Sequence, residues 1–418
     1  MTVSFRIMSA GTGYEYLLKS VVTGDGNRDL SSPLTRYYAE QGTPPGVWRG
    51  RGVAHLGEGR LATGQQVTEQ HLQLLMGYGR DPVTGMPLGR AYPKYTNLGP
   101  RTAARASVPP SALPVEEPTV RTNRADEGTR ATPARRAVAG YDITMSVPKS
   151  VSALWGLADA GTQALIAAAH HEAVGTAIDF FEREIAATRG GATRPATGNS
   201  PGGAVVQLPV DGVSAACFDH WDSRAGDPQL HTHAVLSAKV CAADDGRWLA
   251  LDGRPVHYSM VALSEFYNAV LADNLARTLG LAWERRTRPR EKNPAWELAR
   301  VPEALIGEFS TRTKTIDTET DRLISQYTTT KGHRPSQRTI LRLRQQATLA
   351  TRPDKQLHSL ADLTANWRQR AAVVLDDDAT SWARQATSVR EPVVLLRTDD
   401  IPVETIEELG RSVVAAVG

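Results

Sequence analysis

His220-Trp-Asp-Ser-Arg-Ala-Gly-Asp-Pro-Gln-Leu-His231-Thr-His233 decides how the rest of the chain is read. His231 and His233 open an apolar-rich run to Cys241 that reads as a strand, and residues two apart on a strand project from one face. A second strand over Val213–His220 ends at His220, so antiparallel pairing brings a third imidazole beside the other two. Three neutral imidazoles with an open position suit a catalytic metal site better than a sealed structural one. The competing reading is three unrelated polar histidines. An isolated H-x-H supports a metal site only weakly, and His220 is what strengthens it.

Upstream, Tyr141-Asp-Ile-Thr-Met-Ser146 alternates apolar and polar residues as a half-buried strand does, and Pro148 and Ser150 then turn the chain into a helix. Asp142 has three readings: a carboxylate that orients a metal-bound histidine, a proton acceptor for a nucleophile, or an ordinary strand polar or cap. Thr144, Ser146, Lys149 and Ser150 lie close to it in sequence. Thr162 is expected to cap a long helix over Gln163–Thr188, with Leu165, Ile166, Ala169, Val174, Ile178, Phe181 and Ile185 on one face. Downstream, Asp244-Asp245-Gly246 predicts a hairpin into Arg247–Ala250. Helices are expected from Met260 to Ala372, interrupted by a basic loop, Arg285–Lys292.

At 418 residues the chain exceeds one ordinary domain, and 41% hydrophobic residues can support a buried core. Its apolar runs fall short of the ~20 residues that cross a bilayer, which argues against membrane insertion. The first thirty residues lack the pattern of a secretory signal. Two cysteines, Cys217 and Cys241, cannot build a disulfide framework or a four-cysteine zinc site, and a reducing cytoplasm fits best. The net charge of +3 does not announce nucleic acid. Only eight of the 48 basic residues are lysines; arginine suits phosphate and base-edge contacts, although a GC-rich genome is the favoured explanation of the bias. Residues 99–140, rich in Pro, Ala, Thr and Arg, read as a disordered insertion or linker. The apolar helical pattern within Asp399–Gly418 stops without a cap, as in a fragment of a longer protein.

Near the N-terminus stand two tyrosine clusters, Tyr14 with Tyr16 and Tyr37 with Tyr38. A phenol with an ordinary pKa of about 10 is a poor nucleophile at neutral pH. A polarised phosphate and a nearby base would change that. Otherwise such tyrosines are core or surface aromatics.

Taken together, the H-x(10)-H-x-H phrase, Tyr141-Asp-Ile-Thr-Met-Ser-Val-Pro-Lys-Ser150 and the paired tyrosines resemble conjugative relaxases of the TrwC/TraI (MobF) type, within the HUH endonuclease superfamily. Gly46-Val-Trp48-Arg-Gly50-Arg-Gly52 and His171-Glu-Ala-Val174 fit the same pattern. The resemblance covers residues 1–375, leaving 376–418 as a linker or the start of a following domain. It implies an α+β fold: a two-layer palm whose central antiparallel β-sheet carries a three-histidine metal site, flanked by helices, with a mostly helical C-terminal part.

The implied activity is site- and strand-specific nicking of an origin of transfer. A tyrosine attacks with the help of a divalent metal, leaving a covalent 5′-phosphotyrosine. The resemblance places His220, His231 and His233 at the metal, Asp142 beside it, and Arg224 against DNA, with Lys149 as a further DNA contact. Tyr37-Tyr38-Ala-Glu matches the second tyrosine pair of the family. Tyr14-Glu15-Tyr16 departs from the first, which leaves the first nucleophile open between Tyr37 and Tyr16, with Tyr14 and Tyr38 as further candidates. Imidazole ligands favour Mn, Co, Ni or Zn by affinity, and cellular abundance favours Mg. Implied partners are single-stranded and hairpin origin DNA, accessory relaxosome proteins and a type IV secretion coupling protein. No G-x-x-x-x-G-K-[ST] loop occurs, so a helicase either lies beyond Gly418 or is lacking. Three rivals stand beside this reading: a rolling-circle replication initiator, in which histidines ordinarily precede tyrosines, a metal-dependent hydrolase using water, and a non-catalytic DNA-binding module.

Overall fold

The computed structural model describes residues 3–18, 43–93, 136–191, 205–288, 294–353 and 358–388, with 402–404 and 408. In chain order the first half contains β1 (Val3–Ser9), α1 (Glu15–Leu18), β2 (Val47–Arg49), a 3₁₀ segment (Arg51–Gly59), α2 (Glu69–Leu72), β3 (Val138–Ser146), α3 (Lys149–Leu157) and α4 (Ala160–Glu184). Six strands follow: β4 (Ala187–Gly191), β5 (Val205–Pro209), β6 (Ala215–Asp222), β7 (Pro228–Ser237), β8 (Lys239–Cys241) and β9 (Trp248–Ala250). Then come α5 (Gly253–Tyr258), α6 (Met260–Leu279), the hairpin β10 (Trp283–Arg286) and β11 (Ala295–Leu298), and five helices: α7 (Glu303–Glu308), α8 (Thr311–Lys331), α9 (Gln337–Ala350), α10 (Leu360–Leu375) and α11 (Ala379–Ser388).

The central sheet has five strands in the order β1-β3-β7-β6-β2, every neighbouring pair antiparallel. Strand parity then assigns each side chain to a face. Tyr141, Ile143 and Met145 of β3, with Leu230, Ala234 and Leu236 of β7, join a large core against α3, α4 and α6. Ala216, Phe218 and Val235 point the other way into a smaller core that includes Leu17, Trp48, Leu56, Leu72 and Leu75. Helix α4 buries Ile166, Ala169, Ala173, Val174, Ile178 and Phe181 along one stripe. Each large aliphatic or aromatic side chain so buried contributes roughly 1.5–3 kcal/mol.

The glycine-rich motif after the tyrosines serves this second core. Gly50 adopts φ +90°, and a Cβ there would lie 2.2 Å from the Val213 carbonyl oxygen; a Cβ on Gly46 would lie 2.5 Å from the Phe218 ring. Only glycine lets β2 settle this closely on β6.

Several sequence expectations shift. The long helix starts at Ala160, because Asp159 rather than Thr162 accepts the capping bond, 3.0 Å from the Thr162 amide. It ends at Glu184, since Ala187 and Thr188 are drawn into pairing with β5. The strand expected to run to Cys241 breaks after Ser237, and Lys239–Cys241 pairs separately with β9. Within the expected helical region, Arg285 and Arg286 of the basic stretch belong to β10, which pairs with β11, and residues 289–292 lie outside the described residues. Of residues 99–140, those up to 135 lie outside the described residues, but Val138–Gly140 form the start of β3. Helix α11 buries Ala379, Ala383 and Ala386 in the main core. The pattern within Asp399–Gly418 falls almost wholly outside the described residues. Among the described residues no helix is long and apolar enough to cross a membrane.

Candidate active site

His220 and His231 are directly paired across β6 and β7, and His233 follows on the same face. The three ring centroids lie 5.0–5.3 Å apart. One donor nitrogen from each ring can be chosen so that all fall within 4.8 Å of one another. Hydrogen bonds select those nitrogens. His231 Nδ1 donates to the Gln229 carbonyl at 2.7 Å, and His233 Nδ1 donates to Asp142 at 2.8 Å, so both rings keep Nε2 as the lone-pair nitrogen. Burial, then the neighbouring His233, pushes the His231 pKa down to about 4, so this imidazole is neutral at pH 7. Three imidazoles gathered this closely, two of them buried, are the donor chemistry of an open divalent metal site.

Asp142 reaches the set from β3. It pairs with Val235, two residues past His233 on β7, and is 3% exposed. Its carboxylate also accepts from the hydroxyls of Tyr16 and, at 3.4 Å, Thr144. Burial works to raise the Asp142 pKa, but the bonds from His233, Tyr16 and Thr144 outweigh it and hold the group below its ordinary range. Tyr16 shows the opposite: burial first, and then the Asp142 charge, raise its phenol well above normal. The Tyr16 ring stands edge-on to His233, centroids 6.1 Å apart, and the Arg6 guanidinium lies 5.5 Å from the Tyr16 centroid.

Of the predicted site residues, the structure thus gathers His220, His231, His233, Asp142 and Tyr16. Tyr14 does not join them: it lies in the turn just before α1, buried in the second core at 5% exposure. Tyr37 and Tyr38 lie outside the described residues. Lys149, expected against DNA, is half-buried and donates to the Pro228 carbonyl at 2.9 Å, tying α3 to the start of β7. Arg224 sits in the β6–β7 turn, where its Nη1 reaches the Pro353 carbonyl at 3.3 Å. His171 belongs to the helix-facing side of the sheet, its Nε2 2.8 Å from an Asp219 carboxylate oxygen.

Two arginines escaped sequence reading. Arg6 and Arg136 line a cavity of about 320 Å³ with Ser9, Thr12, Tyr16 and Asp142. The usable signal was parity: Arg6 pairs with Asp142 across β1 and β3 and therefore shares its face.

The sequence profile of the TrwC relaxase family matches residues 10–374. The multifunctional conjugation protein TraI of Escherichia coli strain K12 is 32% identical over 186 residues, an overlap of 42% of this chain and 9% of TraI. The chain therefore spans only a small part of that relative's length. Among solved structures, the conjugative relaxase TrwC with oriT DNA in a copper-bound state superposes with a TM-score of 0.56 at 23% identity, covering 89% of this chain and 98% of TrwC. A metal-free TrwC–oriT complex gives the same score at 22% identity, over 90% and 99% of the two chains. The likeness extends to the antiparallel palm and its helices. With the profile spanning most of its length, this chain belongs to the TrwC relaxase family.

Proposed function

We propose that the chain nicks one strand of an origin-of-transfer DNA and holds it through a phosphotyrosine, with Tyr16 as the first nucleophile. The observation that carries this is the bond from Tyr16 to Asp142, the same carboxylate that orients His233. His220, His231 and His233 fit a divalent cation by donor type and mutual distance. Such a cation, when bound, supplies positive charge that polarises the scissile phosphate.

The residues then have distinct tasks. Asp142 accepts the Tyr16 proton as the phenolic oxygen bonds to phosphorus. The bond from phosphorus to the 3′ oxygen breaks, and that oxygen leaves as a hydroxyl after taking up a proton. The 5′ side of the cut remains on Tyr16. One phosphodiester is exchanged for another, so the reverse attack by a 3′-hydroxyl rejoins a strand without an added energy source. Arg6 and Arg136 put positive charge where the DNA backbone would pass Tyr16. Tyr37 or Tyr38 would supply a second phenol for a later transfer. The ion class is Mg or Mn, with Zn, Ni and Co as competitors. Hairpin and single-stranded origin DNA are the proposed partners, joined by accessory relaxosome proteins and a secretion coupling protein.

The test is to incubate the chain with single-stranded origin DNA and Mg or Mn, then map the trapped adduct by proteolysis and mass spectrometry. Modification of the peptide carrying Tyr16 is expected, and it should disappear in Tyr16→Phe. An adduct confined to Tyr37 or Tyr38 would reassign the first cut, and cleavage without any adduct would favour a water-using hydrolase.

A further inference from the structure

We propose that His55, Asp211 and Cys241 form a second cation site, separate from the three histidines and suited to an ion of the zinc class. The three come from different parts of the chain: His55 from the 3₁₀ segment, Asp211 from the connection between β5 and β6, and Cys241 from the end of β8. One donor atom from each lies within 4.8 Å of the others. His55 Nε2 stands 3.5 Å from Asp211 Oδ2. Two ligands of a tetrahedral ion with bonds of about 2.0–2.3 Å stand roughly 3.3–3.7 Å apart, so this pair already has a ligand spacing. The side chains of His55 and Asp211 are 38% and 40% exposed, which leaves them room to close on an ion arriving from solvent. Cys241 lies buried beneath them, its sulfur in only a weak 3.9 Å contact with the Ala242 carbonyl.

The frame beneath these donors is fixed. Asp211 donates its amide to the Cys241 carbonyl at 3.0 Å, and Val210 bridges Ala242, so two donors ride on paired backbone. The buried Glu182 carboxylate accepts from the Arg51 and Val213 amides at 2.7 and 2.8 Å, and Gly52 donates to the Val213 carbonyl at 3.1 Å. This locks the segment bearing His55 to the connection bearing Asp211. Preorganised donors lose little freedom on binding. One sulfur, one nitrogen and one oxygen make a borderline set, with the fourth position of a zinc ion left to water. Cys217, the other cysteine, faces the helix-side core and offers no disulfide partner here. An ion at this point would staple β8 to the segment that follows the edge strand β2. None of this depends on the strand-transfer reading.

Cobalt(II) reports the site directly, because thiolate ligation gives a charge-transfer absorption that imidazole ligation does not. The full chain carrying His231→Ala, which disables the histidine triad, is titrated with cobalt and then with zinc. One equivalent of cobalt should produce the thiolate band, and zinc should bleach it. The band should persist in Cys217→Ala and vanish in Cys241→Ser. It should vanish as well in His55→Ala, whose half-exposed position keeps folding out of question. Absence of a thiolate band, or a band that survives Cys241→Ser, overturns the proposal and leaves His55 and Asp211 as a simple ion pair.

Discussion

Strand β7 separates two histidine groups that differ in what their nitrogens are left to do. On one face, His231 and His233 each commit Nδ1 to a protein acceptor and keep Nε2 as a donor of electrons. On the other, His170 of α4 is wholly buried and commits both nitrogens, Nδ1 to the Tyr267 hydroxyl at 2.8 Å and Nε2 to the Thr232 hydroxyl at 2.9 Å. Burial depresses both groups, His231 to about 4 and His170 to about 3. Burial and neutrality therefore do not distinguish a ligand from a structural histidine. The unspoken-for nitrogen does.

The largest effect expected from breaking this contrast is on the ligand side. His231→Ala should slow metal-dependent cleavage roughly a thousandfold, the equivalent of several kcal/mol of lost charge stabilisation. DNA affinity should change little, because distributed phosphate contacts dominate it. Gel-shift titration beside single-turnover cleavage checks both halves, and wild-type cutting by the variant would remove the triad from the mechanism.

Next comes Asp142→Asn, which keeps the shape but weakens both the orienting bond to His233 and the acceptor for Tyr16. A fall in cleavage of about a hundredfold is expected, with metal affinity weakened by about tenfold, measured by calorimetric metal titration. Equal losses in both would mean that Asp142 acts only through His233.

On the structural side, His170→Leu should cost about 1–3 kcal/mol in urea unfolding, since the Tyr267 and Thr232 hydroxyls lose a buried partner. Cleavage at saturating metal should stay near wild type. A large loss of cleavage in a folded variant would show that the two faces are not separable.

The subtlest test is pH. His170 is expected to be neutral when folded and to titrate near its ordinary value of 6.5 when unfolded. As pH falls below that value the unfolded chain takes up a proton that the folded chain refuses, so stability declines toward pH 4. Wild type should lose about 1.4 kcal/mol per pH unit more than His170→Leu between pH 6 and 4, and the two slopes should coincide above about pH 7.5. Parallel slopes throughout would mean that His170 is protonated in the fold.

Much of the ligand side was legible because strand parity and antiparallel pairing are local rules. Two histidines at a spacing of two, a third across a turn and an alternating strand with Asp142 are sufficient to place four side chains on one face. The structural side was not legible, because His170, Thr232, Asp219 and Tyr267 meet only through packing between α4, α6 and the sheet. For the same reason nothing in the sequence marks Glu182, which ties two distant amides. Residue type does not separate Tyr14 from Tyr16; in the fold Tyr14, in the turn before α1, is buried in the second core, while Tyr16 on α1 reaches Asp142. The β10–β11 hairpin was hidden by charge: its strands carry Glu284, Arg285, Arg286 and the buried Glu297, which interrupt any apolar alternation.

The turn that joins the two histidine strands is held from far away in the chain. Trp367 donates its indole N–H to the Gly226 carbonyl at 2.7 Å, and the buried Asp227 carboxylate accepts from the Thr311 amide and the Arg370 guanidinium. These partners lie 84 to 143 residues downstream of the turn. A ribosome delivers the β6–β7 hairpin well before it delivers Arg370, at about 5–20 residues per second. During that interval of several seconds the hairpin can pair its strands, but Asp227 still lacks its bonds from Thr311 and Arg370. The three histidines are therefore made well before the contacts that secure the turn between them.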